Sequence, residues 1–332
     1  METIKNNRDF LFLYQAKQNN PNGDPDQENK PRMDYDTKTN LVTDVRLKRF
    51  IRDYLKSKGE EVFVSLDEDA KVSPETKLIN YLNTFLEPDL ADEIFGNDEN
   101  LKKKYVELFD KVKGNKTLAD VLKENKETEL NRRILAYLIA KHFTDVRMFG
   151  SAFAVKGFTY AYTGSIQINW GYSLNEVYLM DSNSIVTIMS DEASTFGKDY
   201  RIWYSLIAFY GTINENAAKT TFLTDDDIKK FRDAIWNGIT ALPTRTKQNQ
   251  FPLLYLEIEY REGLSNGQFG DLRQYIKVQP VEEKTFKQVR DIDDLIIDFS
   301  QLEELINNND KIEHIYIKTS DLLHTKPNIN EK

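Results

Sequence analysis

The stretch Asp9-Phe-Leu-Phe-Leu-Tyr-Gln-Ala16 is a short apolar run flanked by charge, the pattern of a buried β-strand. Residues 18–41 follow it as a polar segment of Asn, Pro, Gly, Asp and Gln, a loop of the length usually reserved for function. A helix then begins, capped by Thr43 or Asp44. Its predicted buried positions recur at helical spacing: Val45, Leu47, Phe50, Ile51, Tyr54 and Leu55.

The remaining elements follow from periodicity and turn residues, and a helical insertion interrupts them. Without the insertions, the order is strand, helix, strand, strand, helix, strand. This order predicts an α+β, ferredoxin-like fold. RRM modules share this topology and bind single-stranded RNA on the sheet. The expected elements are a strand at 61–66, helices at 67–127 and 130–143, β segments at 158–170 and 184–190, a glycine turn at 194–198, a strand at 200–210, a helix from Thr224 to Gly238, a strand at 253–260, an acidic helix at 292–306 and a strand at 314–318.

Composition narrows the class of protein. Of the 332 residues, 40% are hydrophobic, which is enough for a substantial core, and there is no Cys for disulfides or thiolate sites. No run is long enough to span a membrane and the start lacks a signal peptide, so we expect a cytoplasmic protein. The three His are scattered, and the sequence has no nucleotide-binding, catalytic-triad or zinc pattern. We therefore expect no enzyme, no metal and no cofactor.

Charge is distributed unevenly along the chain. The net charge of −9 argues against a generic nucleic-acid coat, yet Lys30 to Lys58 holds nine Lys and Arg against four Asp. Backbone amides near Asn22 and Gly23 could join the basic helix face on one phosphate track. A solvated surface helix explains the same charges about equally well. The basic face comprises Arg46, Lys48, Arg49, Arg52 and Lys56.

Other residues carry a functional and a structural interpretation side by side. Phe196, at the predicted hairpin tip, is a candidate wedge between nucleotides, although an aromatic residue there is more often packed. Phe149 and Gly150 indicate a tight turn or a close backbone approach. Carboxylates of the polar loop could bind Mg²⁺ or Ca²⁺, but a solvated loop with Asx turns is favoured. These carboxylates are Asp24, Asp26, Asp34 and Asp36.

Several motifs resemble the Cas7 backbone subunits of type I CRISPR effector (Cascade) complexes, closest to the type I-B kind, and the resemblance covers most of the chain. The most specific block is the polar loop with its basic helix. The blocks are Asn20-Pro-Asn-Gly-Asp-Pro-Asp26, Asn29-Lys-Pro-Arg32, Leu41-Val-Thr-Asp-Val-Arg-Leu-Lys-Arg-Phe-Ile-Arg-Asp-Tyr54, Asp145-Val-Arg-Met-Phe-Gly150, Thr163-Gly-Ser-Ile-Gln167, Thr195-Phe-Gly-Lys198 and Ala218-Lys-Thr-Thr-Phe-Leu-Thr-Asp-Asp226.

The resemblance implies a right-hand-shaped subunit that holds the sugar-phosphate backbone of a guide RNA (crRNA). Its copies would polymerise head to tail beside other Cascade subunits, and the guide would pair with target DNA. Phe196 stands where the family pattern has methionine, and Phe222 where it has glycine. The implied RNA contacts are Asn22, Thr43, Lys48, Arg49 and Arg52 for the loop and helix, Lys198 and Arg201 on the thumb, Phe149 and Gly150 in the palm, and, with a weaker match, Arg245 and Lys247.

The expected domains are a palm at 1–66, a helical fingers insertion at 67–128, palm again at 129–170, a thumb hairpin region at 171–222 and palm with C-terminal elements at 223–332. Two other functions stay open. One is a metal-dependent endoribonuclease backbone subunit that cuts target RNA with a loop aspartate, as type III relatives do. The other is a monomeric RRM-like RNA-binding protein outside CRISPR systems.

Overall fold

The computed structural model describes residues 2–64, 73–181, 184–190, 193–307 and 309–330, without the side chains of 186–190 and 193–196. The chain forms two compact units. Unit 1 comprises Met1–Ile4, Leu55–Ser165 and Glu215–Lys230, and unit 2 comprises Lys5–Tyr54, Ile166–Asn214 and Phe231–Lys332. Within the described ranges, no helix combines the length and apolar character needed to cross a membrane.

The elements alternate between helical and β-rich stretches. The strands are β1 (Arg8–Lys17), β2 (Gly23–Asp24), β3 (Lys30–Pro31), β4 (Met33–Asp34), β5 (Thr39–Val42), β6 (Gly150–Val155), β7 (Phe158–Thr163), β8 (Ile166–Ile168), β9 (Gly171–Ser173), β10 (Ser184–Ser190), β11 (Ala193–Lys198), β12 (Tyr204–Ile213), β13 (Gln250–Tyr260), β14 (Lys277–Pro280), β15 (Leu295–Asp298) and β16 (Ile312–Thr319). The α-helices are α1 (Asp44–Ser57), α2 (Pro74–Thr84), α3 (Ala91–Phe95), α4 (Glu99–Phe109), α5 (Leu118–Glu124), α6 (Thr128–Lys141), α7 (Thr144–Phe149), α8 (Glu215–Thr221), α9 (Asp225–Ala241) and α10 (Ser300–Asn307).

Unit 2 is built on an antiparallel sheet in the order β16-β13-β1-β12-β9-β5-β4, with β8 also paired to β12. Strand β1 lies between β12 and β13, so Phe10 is opposite Gly211 on one side and Glu257 on the other. The first nine residues of β1 are buried, as the apolar run predicts. The α+β class expected from the sequence is therefore confirmed.

The two faces of this sheet are covered by different elements. On one face, the ring of Phe10 meets Phe231 of α9 edge to face at 5.3 Å between ring centroids. On the other face, Leu11 and Leu13 pack in one core cluster with Phe299, α10 and the C-terminal segment. Because both faces are occupied, the open sheet surface on which RRM modules stack RNA bases is not available here.

Unit 1 is mainly helical, with the β6–β7 hairpin packed against the helices. Its core contains Tyr105, Phe143 and Phe158, all fully buried. Ser73 caps α2 by accepting a hydrogen bond from the backbone of Thr76, and Pro74 occupies the first turn, as predicted. The predicted strand at 61–66 is wrong over its described residues, because the amides of Phe63 and Val64 donate to the Asp145 carboxylate at 2.7 and 3.0 Å instead of to a strand.

The predicted hairpin also needs correction. The Gly-containing stretch 194–198 is not the turn but part of β11, which pairs with β10 so that Phe196 lies opposite Val186. Gly197 lies close to Ile185, whose side chain would be 3.2 Å from an added Cβ. The residues between β10 and β11 lie outside the described part of the chain. The strand predicted at 200–210 is β12, a member of the main sheet.

Two helix predictions fail for reasons of packing. Helix α9 continues past Gly238 to Ala241, so this glycine does not end the helix. It lets the backbone of Phe50 approach, since a Cβ there would lie 2.7 Å from the Phe50 carbonyl oxygen. The acidic helix predicted at 292–306 divides into a 3-10 turn, β15 and α10, since Leu295 and Ile297 alternate into the core. Val45, predicted to be buried, is 66% exposed.

Candidate nucleic-acid interface

The polar loop is joined to the first turn of α1 by Asn22. Its Oδ1 accepts hydrogen bonds from both the backbone N–H and the hydroxyl of Thr43, each at 2.9 Å. The Thr43 hydroxyl in turn accepts from the backbone N–H of Arg46 at 3.2 Å, as an N-cap does. Gly23 has no room for a side chain, because an added Cβ would lie 1.9 Å from Oδ1 of Asn29. Asn22, Gly23 and Thr43 thus fix the geometry of the loop.

The basic residues of α1 lie in different environments. Lys48 pairs with Asp44 at 2.9 Å and Arg49 with Asp53 at 3.1 Å, so each is held one turn from its carboxylate. Side-chain exposure is 15% for Lys48 and 49% for Arg49, and Arg52 is partly exposed. Such pairs at helical spacing are weak, and a phosphate can replace the carboxylate.

Arg46 turns away from solvent, although the sequence places it on the exposed face. Its guanidinium lies 4.0 Å from the centroid of the Phe50 ring, and its Nε is buried with no acceptor among the described residues. Burial lowers the pKa of Arg46, while the charges of Tyr14 and Asp53 oppose that shift. Arg46 is therefore a desolvated cation without a carboxylate in contact.

Lys247 is a second cation of this kind, on the connector between α9 and β13. Its Nζ donates to the backbone carbonyl of Asn20, and no carboxylate of the described residues forms an ion pair with it. Burial, with a smaller contribution from the Arg46 charge, lowers the pKa of Lys247 to about 7. Cations that are partly withdrawn from water are normally paired. Arg46 and Lys247 are partly exposed, and among the described residues neither has a carboxylate in contact, so the two are suited to an anion.

Several buried polar atoms around the loop have no hydrogen-bond partner among the described residues. Such atoms are rare in folded proteins, and each one calls for an explanation such as a bound ligand or water. They belong to residues of the polar loop, to a residue of α1 and to the first residue of β13. They are Oδ1 of Asn19, Asn20 and Asn40, Nε of Arg32 and Arg46, and Oε1 of Gln250.

The residues after β11 extend the same surface. Arg201 donates to the backbone carbonyl of Gln18 at 2.9 Å and pairs with Asp199 at 2.8 Å. Arg245 reaches the same carboxylate at 3.0 Å. Burial tends to raise the pKa of Asp199, but hydrogen bonds from Arg201 and Arg245 outweigh it and the pKa is lowered. The polar loop, the residues after β11 and the α9–β13 connector thus meet within unit 2.

Tyr200 is the functional candidate that sequence reasoning missed. Its ring has Lys30 at 5.1 Å and Lys198 at 5.9 Å from the centroid, and its hydroxyl donates to Glu28 at 2.8 Å. Arg32 lies 5.9 Å from the ring centroid of Trp170, which is 49% exposed. Cations interleaved with aromatic rings are typical of single-strand binding surfaces. The cations on either side of Pro31 in the motif Asn29-Lys-Pro-Arg32, Lys30 and Arg32, were a sequence signal for such a surface.

Two of the predicted RNA contacts, Phe149 and Gly150, lie in the other unit, unit 1. Gly150 has a φ of +72°, and an added Cβ would lie 2.2 Å from the Tyr162 carbonyl oxygen. Phe149 is 8% exposed. Their environment supports the structural interpretation of a tight turn. The side chain of Phe196 is outside the described part of the structure, so its wedge role stays a prediction.

The loop carboxylates bind the loop itself. Oδ1 of Asp24 accepts from the backbone N–H of Asp26 at 3.2 Å, and Asp24 also pairs with Arg32 at 3.5 Å. Oδ1 of Asp34 accepts from the N–H of Asp36 at 3.1 Å. These are Asx turns, as favoured from the sequence. Among the described residues, no three His, Asp or Glu side chains converge so as to hold a metal ion.

The geometry defines a class of protein. It is an α+β scaffold whose polar loop, helix α1 and α9–β13 connector display a cation-rich surface. The family model for CRISPR-associated protein Cas7 matches residues 6–300. The chain belongs to this family.

A relative named CRISPR-associated protein Cas7, from Haloferax volcanii, is 29% identical over 339 residues, covering 95% of this chain and 87% of the relative. One similar solved chain comes from a structure described as a CRISPR RNA-guided surveillance complex, pre-nicking, with a TM-score of 0.45, 13% identity and coverage of 78% of this chain and 80% of that one. Another, from a CRISPR RNA-guided surveillance complex, has a TM-score of 0.36, 12% identity and coverage of 78% and 72%.

Proposed function

We propose that this protein is a non-catalytic backbone subunit of a type I CRISPR effector (Cascade) complex. Its copies line up along the guide crRNA and present it for pairing with target DNA, beside other Cascade subunits. The observation that carries the proposal is the pair of desolvated cations, Arg46 and Lys247, without carboxylate partners beside a loop rich in unpartnered polar atoms. A phosphodiester supplies the missing anion.

Backbone recognition accounts for the arrangement of the other groups. Lys48 and Arg49 lie on α1 and Arg201 lies beside the loop, so their charges follow a chain of phosphates without reading bases. Tyr200 and Trp170 offer rings for stacking, which tolerates any sequence because every base has a π-face. The order of the guide's bases then matters only for pairing with its target.

The proposed division of the molecule into palm, fingers and thumb follows the two units. Unit 2 contains the strand order β13-β1-β12-β9, with α1 after β1 and α9 after β12, which supports an RRM-like palm. Unit 1 supplies helical fingers that include residues 129–165, and the β10–β11 hairpin supplies the thumb. The proposed palm uses its loop and helix end for RNA, because its sheet is covered on both faces.

Size measurements test the assembly. Protein purified with and without nuclease treatment is compared by light scattering after chromatography, and RNA-dependent assemblies of many copies are expected. A monomer in both preparations contradicts the proposal and favours a monomeric RNA-binding protein.

Cleavage of complementary RNA by guide-loaded protein with Mg²⁺ tests the catalytic alternative. Asp24 and Asp34 bind loop backbone and no metal-binding group of three converges among the described residues, so no cleavage is expected. Regularly spaced cuts that disappear on Asp26→Ala or Asp36→Ala would establish an endoribonuclease instead.

A further inference from the structure

Unit 1 contains a groove of 580 Å³ that the RNA surface does not use. Its walls come from α6, β7 and the end of α8. Tyr160, Tyr162 and Phe222 give it aromatic walls, with Ala136 and Ala161 between them. A cavity of this size fits several side chains of a partner. The groove therefore offers apolar contact area on a surface to which the proposed function assigns no role.

Three cations, Arg132, Arg133 and Lys219, line this groove. Arg132 donates twice to Glu129, at 2.9 and 3.1 Å, and Arg133 donates to the same carboxylate at 3.1 Å. The side chains of Arg132 and Lys219 are each 59% exposed. Arg132 and Arg133 pair with Glu129, and Lys219 lies 3.7 Å from Glu215. The described lining has three cations and one carboxylate, Glu129, so the groove carries an excess of positive charge and complements an acidic partner.

Phe222 has a backbone conformation that glycine usually adopts. Its φ is +65°, and its N–H donates to the Ala218 carbonyl at 2.8 Å to close α8. A bulky residue in this left-handed region carries a conformational cost. The same residue contributes its ring to the groove. The departure from the glycine of the family pattern thus adds apolar surface at this place.

A complementary surface lies on unit 2 of the same chain. Residues 282–310 contain nine Asp and Glu against three Lys and Arg. Within this acidic stretch, β15 buries Leu295 and Ile297 and exposes Ile296 and Asp298, and Ile296 is 43% exposed. Ile296 is thus an exposed apolar side chain in a stretch of net negative sequence charge, in which Asp291 pairs with Lys17 and Asp294 with Lys284. Such a stretch is the reverse of a cationic aromatic groove.

We propose that the groove of unit 1 receives the β15 surface of a second copy, with Ile296 against the aromatic walls and its acidic surroundings facing Arg132 and Lys219. This rests on the proposed assembly of copies along RNA and names the surfaces that join them. A nucleic acid would use the same cations, so it is the occupant indicated if the two variants described below do not cross-link. Groove and β15 are different patches, so the contact is heterologous and repeats head to tail.

Cross-linking tests the contact directly, because the chain has no native Cys. Protein with Ala161→Cys, in the groove, is mixed with protein carrying Ile296→Cys, assembled on RNA and treated with a short bis-maleimide. A covalent dimer of the two variants is expected. Val106→Cys, at another exposed site of unit 1, replaces Ala161→Cys in the control and should give none. Equal yields in the two mixtures would overturn the inference.

A charge exchange provides the second test. Ile296→Lys places a cation against the cationic groove and should weaken association between copies about tenfold, the effect of an unfavourable close charge pair. Arg132→Glu combined with Ile296→Lys should recover most of that loss. Both sites are exposed, so folding is expected to persist and is checked by thermal melting.

The readouts separate this inference from the proposed function. Binding of a short RNA that accommodates one copy should be the same for wild type and for Ile296→Lys. If copies assemble on long RNA and Ile296→Lys leaves that assembly unchanged, the interface is wrong while the RNA-binding role stands. If wild-type protein forms no assembly on RNA, both the interface and the proposed function are wrong.

Discussion

At the scale of single residues, Lys247 decides how the proposed RNA surface responds to pH. Its amine is held by the Asn20 carbonyl near a second buried cation, and desolvation favours the uncharged form. A phosphate at this place favours the charged form. Binding of RNA and uptake of a proton by Lys247 are therefore expected to be coupled.

The first prediction follows from the pKa of about 7 for Lys247 in the free protein. Between pH 6 and pH 8.5 the ammonium is depleted, so the affinity for single-stranded RNA should fall roughly tenfold, since one pKa unit corresponds to about 1.4 kcal/mol. Lys247→Met should bind more weakly at pH 6 and lose most of this pH dependence in fluorescence anisotropy. Lys30→Met, in the polar loop that Lys247 contacts through Asn20, serves as the control and should keep it. Equal pH dependence in wild type and Lys247→Met contradicts the assignment.

At the scale of elements, some of the structure was readable from the sequence and some was not. The β1 strand, the capped α1 and the β13 strand were predicted because periodicity and capping are local signals. Gly238 was misread as a helix end because its purpose is a contact with Phe50, far away in the chain. Arg46 was expected on the exposed face of α1, because residue spacing alone does not show that its guanidinium lies over Phe50, four residues along the same helix, and close to Tyr14 of β1.

The second prediction concerns Lys48 and Arg49, the ion-paired cations of α1. Lys48→Ala with Arg49→Ala should weaken RNA binding at every sequence tested and lower the slope of log affinity against log salt by about 1.4, from ~0.7 for each phosphate contact. Lys103→Ala with Lys111→Ala removes the same charge from exposed sites of unit 1 and should leave the slope unchanged. A loss confined to particular sequences contradicts backbone recognition.

The third prediction tests the contact between α1 and α9. Gly238→Ala improves helix propensity by about 1 kcal/mol, yet its Cβ would meet the Phe50 carbonyl oxygen at 2.7 Å. Overpacking of this kind typically costs about 1–3 kcal/mol, so the free energy of unfolding in urea should fall. Thr240→Ala, at an exposed site of the same helix, should change it by less than about 0.5 kcal/mol. A more stable Gly238→Ala variant would show that the helices do not pack so closely.

At the scale of the whole molecule, the main sheet depends on a buried charge network that sequence reasoning did not identify. Glu257 on β13 accepts from Arg232 at 2.6 Å and from Arg8 at 3.2 Å, and Tyr255 donates to it at 2.6 Å. Burial alone would raise the pKa of Glu257, but Arg232 and Arg8 outweigh burial and lower it. Three chain-distant segments are joined here, and no local pattern reveals such a network.

The fourth prediction follows from this lowered pKa. Glu257→Gln should destabilise the protein by about 3 kcal/mol at pH 7, because Arg232 loses the carboxylate it pairs with and the buried Arg8 loses one of its carboxylate partners, the other being Glu259. The stabilisation by Glu257 is present above the unfolded pKa of ~4.3 and is lost as the pH falls through the lower folded value. The Tm difference between wild type and variant should therefore shrink below about pH 4. Glu313→Gln, at an exposed ion pair, is the control, and a difference that grows in acid contradicts the account.

The most direct test of the account as a whole is the RNA that accompanies the protein from its native host. Assembly along a guide predicts RNA of one uniform length, with a constant repeat-derived end and variable spacer sequence, when affinity-purified complexes are deproteinised and sequenced. Lys247→Met with Arg49→Ala should recover much less of it than the charge-matched Lys103→Ala with Lys111→Ala. RNA of random length and origin, or equal recovery by both variants, would contradict the claim that this surface holds a guide.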